Sequence, residues 1–191
     1  VATDEAVDAA LAIADLTEET FANGASAFTH GGGAIRGLTD HGSRITGTLG
    51  HVWHSSAATG QEILDDVLAM KGALLADKHY GPYMVYIAPD YEAKLDNNFV
   101  ANYPGTIRQR ILAIESIVGV KICDKFTAGT VVMVEMNPAT IQAVIGMQLT
   151  PVEWNEQGGM VTKFKNMQIV VPRIRKAAGC TYVGIAHYDE T

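Results

Sequence analysis

Four stretches of the chain carry residue types that could do chemistry. His30-Gly31-Gly32-Gly33 matches the glycine-rich oxyanion loop of some esterases. That loop works with a serine on a Gly-x-Ser-x-Gly elbow between a strand and a helix. None of Ser26, Ser43, Ser55, Ser56 or Ser116 stands in such a context, so a flexible loop accounts better for the glycines. His51-Val52-Trp53-His54, with His41 nearby, has a spacing that two zinc ligands could use. No Cys pair or Glu-x-x-His partner accompanies it, and the histidines read as polar loop residues. Asp65-Asp66 and Asp189-Glu190 are adjacent carboxylates. Neighbours on a helix point in different directions, which makes Asp65-Asp66 a poor acid/base pair, and solvation is the simpler account. Cys180, Tyr182 and His187 read as sharing one strand. Seven positions along a strand put Cys180 and His187 on opposite faces and ~23 Å apart, against a nucleophile pair. Phosphate-binding glycine loops are absent from the sequence. No catalytic, cofactor-binding or metal-ligating residue is therefore assigned, no cofactor is expected, and the chain is expected not to be an enzyme.

The elements that would position such residues are more legible than the chemistry. A length of 191 residues allows one large domain or two small ones. With 48% hydrophobic and 18% charged residues, the chain can bury a sizeable core. A net charge of −7 argues against a surface that grips nucleic acid through its phosphates. The one local basic cluster, Arg173, Arg175 and Lys176, reads as a solvated strand end. Cys123 and Cys180 sit in apolar contexts and read as small buried hydrophobes, not as a disulfide framework. No secretory signal and no run of the ~18 apolar residues needed to cross a bilayer is visible.

Residues 80–135 are the organising stretch, in outline strand, short helix, turn, helix, strand, turn, strand. Residues 83–87 are aromatic and β-branched between Pro82 and Pro89, and predict a strand. Pro89 suits the first turn of a short helix over 89–95, and Tyr103-Pro104-Gly105 reads as a turn. Thr106 and Gln109 have capping-box spacing before a helical face of Ile107, Ile111 and Ile114. The runs 118–123 and 130–135 read as adjacent strands. The clearest helix spans 59–78: Thr59-Gly60-Gln61-Glu62 is a capping box, and Ile63, Val67, Met70 and Leu74 recur at helical period. A first helix is predicted over 3–23, capped by Thr3, with Val7, Leu11 and Ala14 on its apolar face, Ala10, Ile13 and Phe21 near it, and a stop at Asn23-Gly24. Residues 25–56 fit no helix and are expected to run extended over another element or a neighbouring chain. Beyond 137–138, strands are predicted over 141–145, 152–155, 160–173 and 181–188, with Gln157-Gly158-Gly159 as a turn and Pro172 at an edge.

Taken together, TGQEILDDVLAMKGALLADKHYGPYMVYIAPDYEAKLDNNF, TIRQRILAIESIVGVKICDKFTAGTVVMVEM and TPVEWNEQGGMVTKFKNMQIVVPRIR resemble phage major capsid proteins of the encapsulin-like branch, with the Hong Kong 97-type coat fold. The resemblance covers residues 59–188. It implies an α+β fold with an axial domain and a peripheral domain bearing a long spine helix. The boundaries it implies are 1–50 for the spine helix and crossing segment, 51–149 for the axial domain and 150–191 for peripheral strands. The family has an N-terminal arm and an extended hairpin loop before the spine helix. Only Val1 and Ala2 precede that position here, so a truncated, processed or partly recorded chain is expected. The implied function is a major capsid protein assembling into hexamers and pentamers of an icosahedral shell around double-stranded phage DNA, in virions built in a host bacterial cytoplasm. The alternative is an encapsulin shell around a cargo enzyme. The implied partners are many copies of the chain itself, with decoration, portal or scaffolding proteins as further candidates, DNA contacted only indirectly, and no membrane. Trp154 and Tyr103 are candidate anchors of subunit contacts, since aromatics are enriched at interface cores; an intradomain core is the competing account.

Overall fold

The computed structural model describes residues 2–30, 33–100 and 103–190, with side chains other than those of Ala2, Thr3, His30 and Tyr103. The chain divides into two units, Val1–Gly37 with Ala143–Arg173, and Leu38–Gln142 with Ile174–Thr191. The structure is mixed α and β.

In the first unit, α1 (Ala2–Asn23) carries Asp4 and Glu5 in its first turn, where the helix dipole favours acids. The helix begins at Ala2, so Thr3 lies inside it and not at the expected cap position; its side chain lies outside the described ones. Helix α1 closes with the amide of Gly24 donating to Thr20 O at 3.0 Å, and Gly24 takes a φ of 80°. Only glycine fits here for a second reason: a Cβ on Gly24 would meet Ile35 O at 2.7 Å, and one on Gly37 would meet Gly24 N at 2.3 Å. The two glycines let the backbone cross itself at the root of the antiparallel hairpin β1 (Ala25–His30) and β2 (Gly33–Ile35). Two long strands, β9 (Ile141–Glu156) and β10 (Val161–Ile174), pair as a two-stranded ribbon. The predicted strands 141–145 and 152–155 are one continuous element. The predicted turn between the ribbon arms is present, with Gln157, Gly158 and Gly159 all at positive φ. Pro172 sits near the end of β10, in a sheet that has only two strands among the described residues, as the expected edge position requires. Asn166 Nδ2 donates to Ala6 O at 3.0 Å, and Thr17 Oγ1 to Gln168 Oε1 at 3.4 Å, tying α1 to the ribbon.

The second unit is built on a five-stranded sheet, order β3-β11-β8-β4-β7: Ile45–Thr48, Ile185–Asp189, Thr130–Glu135, Tyr83–Ile87 and Ile117–Ile122. Strand β8 lies at its centre and all six of its residues are buried. It pairs antiparallel with β4 and β11, while β4–β7 and β11–β3 are parallel. Helix α2 (Gly60–Ala76) lays Ile63, Val67, Met70 and Leu74, none with exposed area, into a core shared with Val85, Ile87, Val131 and Met133. Each such side chain contributes about 1.5–3 kcal/mol relative to an exposed one. The capping boxes Thr59/Glu62 and Thr106/Gln109 are both formed. A 3-10 turn at Pro89–Tyr91 leads into α3 (Glu92–Leu95), and α4 (Ile107–Leu112) buries Ile107 and Ile111.

Four expectations are corrected. The runs 118–123 and 130–135 are not neighbours: β4 lies between them and satisfies the edges of both. Tyr103-Pro104-Gly105 is strand, not turn, because β6 (Tyr103–Thr106) pairs with β5 (Asn98–Val100). The end of the chain does not extend the ribbon: β11 inserts between β3 and β8, so residues 174–191 belong with the sheet and not with residues 150–173. On α1, Val7 and Leu11 stay 57% and 62% exposed, and the side that is partly covered carries Ala6, Ala9, Ala10, Ile13 and Thr17. Small residues let the helix approach the ribbon, leaving the bulkier stripe bare.

Candidate functional site

The loop 49–56 precedes the cap of α2 and is anchored by one helix residue. Asp66 is 8% exposed, and its carboxylate accepts Trp53 Nε1–H at 2.9 Å and the Gly50 amide at 3.1 Å. Trp53 is fully buried against Tyr91, ring centroids 5.1 Å apart, and its amide donates to Glu190 Oε1 at 2.8 Å. Of the adjacent acids, then, Asp65 is on the solvated side, while Asp66 turns inward to satisfy the buried Trp53 indole. Asp189 and Glu190 are likewise engaged, Asp189 Oδ1 accepting Thr130 Oγ1–H at 2.7 Å. His51 lies 3.5 Å from Asp66 and 3.8 Å from Glu62, whereas His54 lies 3.2 Å from Glu190 and 3.8 Å from Asp90. The two histidines face separate acids and do not converge on one ion.

His30 ends β1 opposite Gly33 at the start of β2; Gly31 and Gly32 lie outside the described residues. Ser55 and Ser116 place their carbonyls against Lys94 Nζ and the Tyr83 amide. His41 accepts the Ser43 amide at Nδ1 and the Arg44 guanidinium at its carbonyl. Arg173, Arg175 and Lys176 are exposed.

His187, 8% exposed on β11, accepts Arg44 Nε–H at Nδ1 (2.9 Å) and faces Asp189 Oδ1 through Nε2 at 3.1 Å. An arginine donating to Nδ1 requires the neutral ring with its proton on Nε2. Burial pushes its pKa down, Asp189 opposes this, and the Arg44 charge adds to it. Cys180 is not on this strand, which begins at Ile185; a turn precedes it. Both cysteines are half-buried, not the fully buried hydrophobes expected.

The turn that ends α2 makes a second polar cluster. Its cap residue Asp77 accepts the amides of Thr181 and Tyr182, each at 2.7 Å. Burial disfavours its charge, but the amides at 181 and 182 prevail and hold its carboxyl below the usual range. Lys78 follows at φ 67°, reversing the chain so that His79 points inward. His79 is 1% exposed, and its Nδ1 lies 2.6 Å from Glu135 Oε2, which also accepts Thr140 Oγ1–H at 3.0 Å. Tyr83 donates its hydroxyl to the His79 carbonyl, and burial plus the Glu135 charge pushes its pKa up to about 12. Ligand-type atoms of Asp77, His79 and Cys180 all lie within 4.8 Å of one another, the one such group of three among the described residues.

Several large apolar residues of the first unit face outward. Met160 at the ribbon tip is 88% exposed and Trp154 41%, its Nε1–H donating to Glu156. Trp154 is thus not core. The Tyr103 side chain lies outside the described residues.

Residues 1–155 match the family described as "Family of unknown function (DUF6260)". The chain belongs to this family. No curated protein matches it. Solved structures do. A chain from the capsid of Myoviridae phage XM1 superimposes with a TM-score of 0.77 at 12% identity, over 100% of this chain and 65% of that one. A virus-like particle from Pyrococcus furiosus gives 0.63 at 18% identity, over 80% of this chain and 58% of that one. A chain from Mycobacterium phage Che8 gives 0.50 at 10%, over 76% and 53%. At these identities the likeness is one of fold: the family member has the fold of chains found in phage capsid and virus-like particle structures. It spans between about half and two thirds of each of those chains. No helix among the described residues is long and apolar enough to cross a membrane.

Proposed function

We propose that this chain is a shell-forming subunit, specifically a major capsid protein whose copies build the hexamers and pentamers of an icosahedral phage head around double-stranded DNA. The observation that carries the reading is the fold likeness to the phage XM1 capsid chain along the whole of this chain. In this reading the five-stranded unit is the axial domain, and α1 with the long ribbon forms the peripheral domain. The bare Val7–Leu11 stripe and the exposed Trp154 and Met160 support it, because a subunit completes the burial of such residues on identical copies. The chain does no catalysis here, and its place is the virion.

Negative-stain microscopy and sedimentation of the purified protein test the proposal. Shells or capsomers are expected; a monodisperse monomer at every concentration overturns it. The second reading, an encapsulin-like compartment around a cargo protein, draws on the likeness to the Pyrococcus furiosus particle. Nucleic acid inside purified particles favours the capsid, and one co-purifying protein favours the compartment.

A further inference from the structure

We propose that Asp77, His79 and Cys180 form a Zn²⁺ site that staples the turn at 177–182 to the end of α2. The inference is read from the second unit alone and stands whether or not the chain assembles.

Three observations converge. The first concerns His79, whose two ring nitrogens face acceptors only. Nδ1 is 2.6 Å from the Glu135 carboxylate, while Nε2 sits 3.4 Å from Tyr182 O and 3.6 Å from Asp77 Oδ2. With Nδ1–H donating to the Glu135 carboxylate, the Nε2 lone pair of the neutral ring is aimed at two further oxygens. In a site 1% exposed, that arrangement is repulsive unless a cation, a second proton or a metal ion, lies among them. Second, the sulfur of Cys180 completes the ring of donors, all within 4.8 Å of one another. A proton on Nε2 has no use for a third donor. Thiolate, imidazole and carboxylate together are the donor set of a tetrahedral zinc site and suit neither calcium nor magnesium. Third, the donors are themselves held. Glu135 orients the imidazole from behind, the carboxylate–histidine arrangement that fixes tautomer and ring angle in zinc sites. The amides of Thr181 and Tyr182 clamp the Asp77 carboxylate.

The dimensions agree. Bond lengths of about 2.0–2.3 Å place tetrahedral ligands about 3.3–3.7 Å apart. Asp77 Oδ2 and His79 Nε2 already stand at 3.6 Å, and the half-buried Cys180 thiol needs to move only about 1 Å. Three protein ligands leave one tetrahedral position, which water fills. The ion adds a cross-link between the end of α2 and the turn that carries Cys180, segments distant along the chain.

The test uses untagged full-length protein stripped with chelator and titrated with Co²⁺, then Zn²⁺. One equivalent of Co²⁺ is expected, with a near-ultraviolet thiolate-to-cobalt band that Zn²⁺ abolishes. Glu135→Gln, which keeps an acceptor on His79, is expected to weaken Zn²⁺ binding about 10–100-fold. Cys180→Ser is expected to lose the band and to weaken binding further, while its metal-free circular dichroism matches that of metal-free wild type. Absence of a cobalt band, or binding unchanged in Cys180→Ser, overturns the site. A monomer that binds one cobalt sinks the shell reading and keeps this one.

Discussion

Asp66→Ala isolates the contribution of one buried carboxylate. Its oxygens accept from the indole N–H of the fully buried Trp53 and from the amide of Gly50, an exposed residue. Truncation removes two hydrogen bonds to a charged acceptor, each worth about 1.5–3 kcal/mol, and leaves the buried indole N–H without that partner. Relief comes from no longer burying the carboxylate, which makes about 3 kcal/mol a reasonable total. For a chain of this size that lowers the thermal midpoint by about 6–12 °C. Asp66→Asn keeps one carbonyl oxygen and falls between, at about 1–2 kcal/mol. The control is the neighbouring Asp65→Ala. Its carboxylate accepts Gln61 Nε2–H on the exposed face, and the change stays within about 0.5 kcal/mol. Urea unfolding at concentrations where the chain is unassembled, followed by tryptophan fluorescence, reads all three. Trp53 is fully buried, so its emission reports this loop directly. Equal midpoints for Asp65→Ala and Asp66→Ala would refute the reasoning, because two adjacent acids would then do the same work despite opposite burial.

Two further outcomes are expected. Trp154→Ala should lower particle yield with the unfolding midpoint changed by less than about 0.5 kcal/mol, since the side chain is 41% exposed; intact particles together with a destabilised subunit would return it to an intradomain role. The His187 pKa is depressed in the fold by burial, so the unfolded chain takes up a proton near its ordinary value of 6.5 while the folded chain does not. The stability it contributes is present above that pH and is lost as pH falls toward the folded value. His187→Gln should flatten the slope below pH 6.5 in a pH series of urea midpoints, and an unchanged slope would show that His187 does not titrate on unfolding.

Local chemistry made much of the fold legible. The Thr59/Glu62 and Thr106/Gln109 boxes, the 3.6-residue stripe of α2, the strand between Pro82 and Pro89 and the turn at 157–159 each depend on residues a few positions apart, which sequence spacing reports directly. The pairing of those elements was not legible. Periodicity marks Val7, Leu11 and Ala14 as a face but carries no information on what covers it, and it shows strands without their order, so β4 between β7 and β8 and β11 beside β3 had to come from the folded sheet. Polar roles were hidden for the same reason. Asp66 and Asp65 are the same residue type side by side, and only the direction of α2 against the loop at 49–53 separates them. His79 meets Glu135 across 56 positions and Asp77 meets Thr181 across 104. Hydrogen bonds and ligand sets of that reach are made by the packing of distant segments, and spacing along the chain does not encode them.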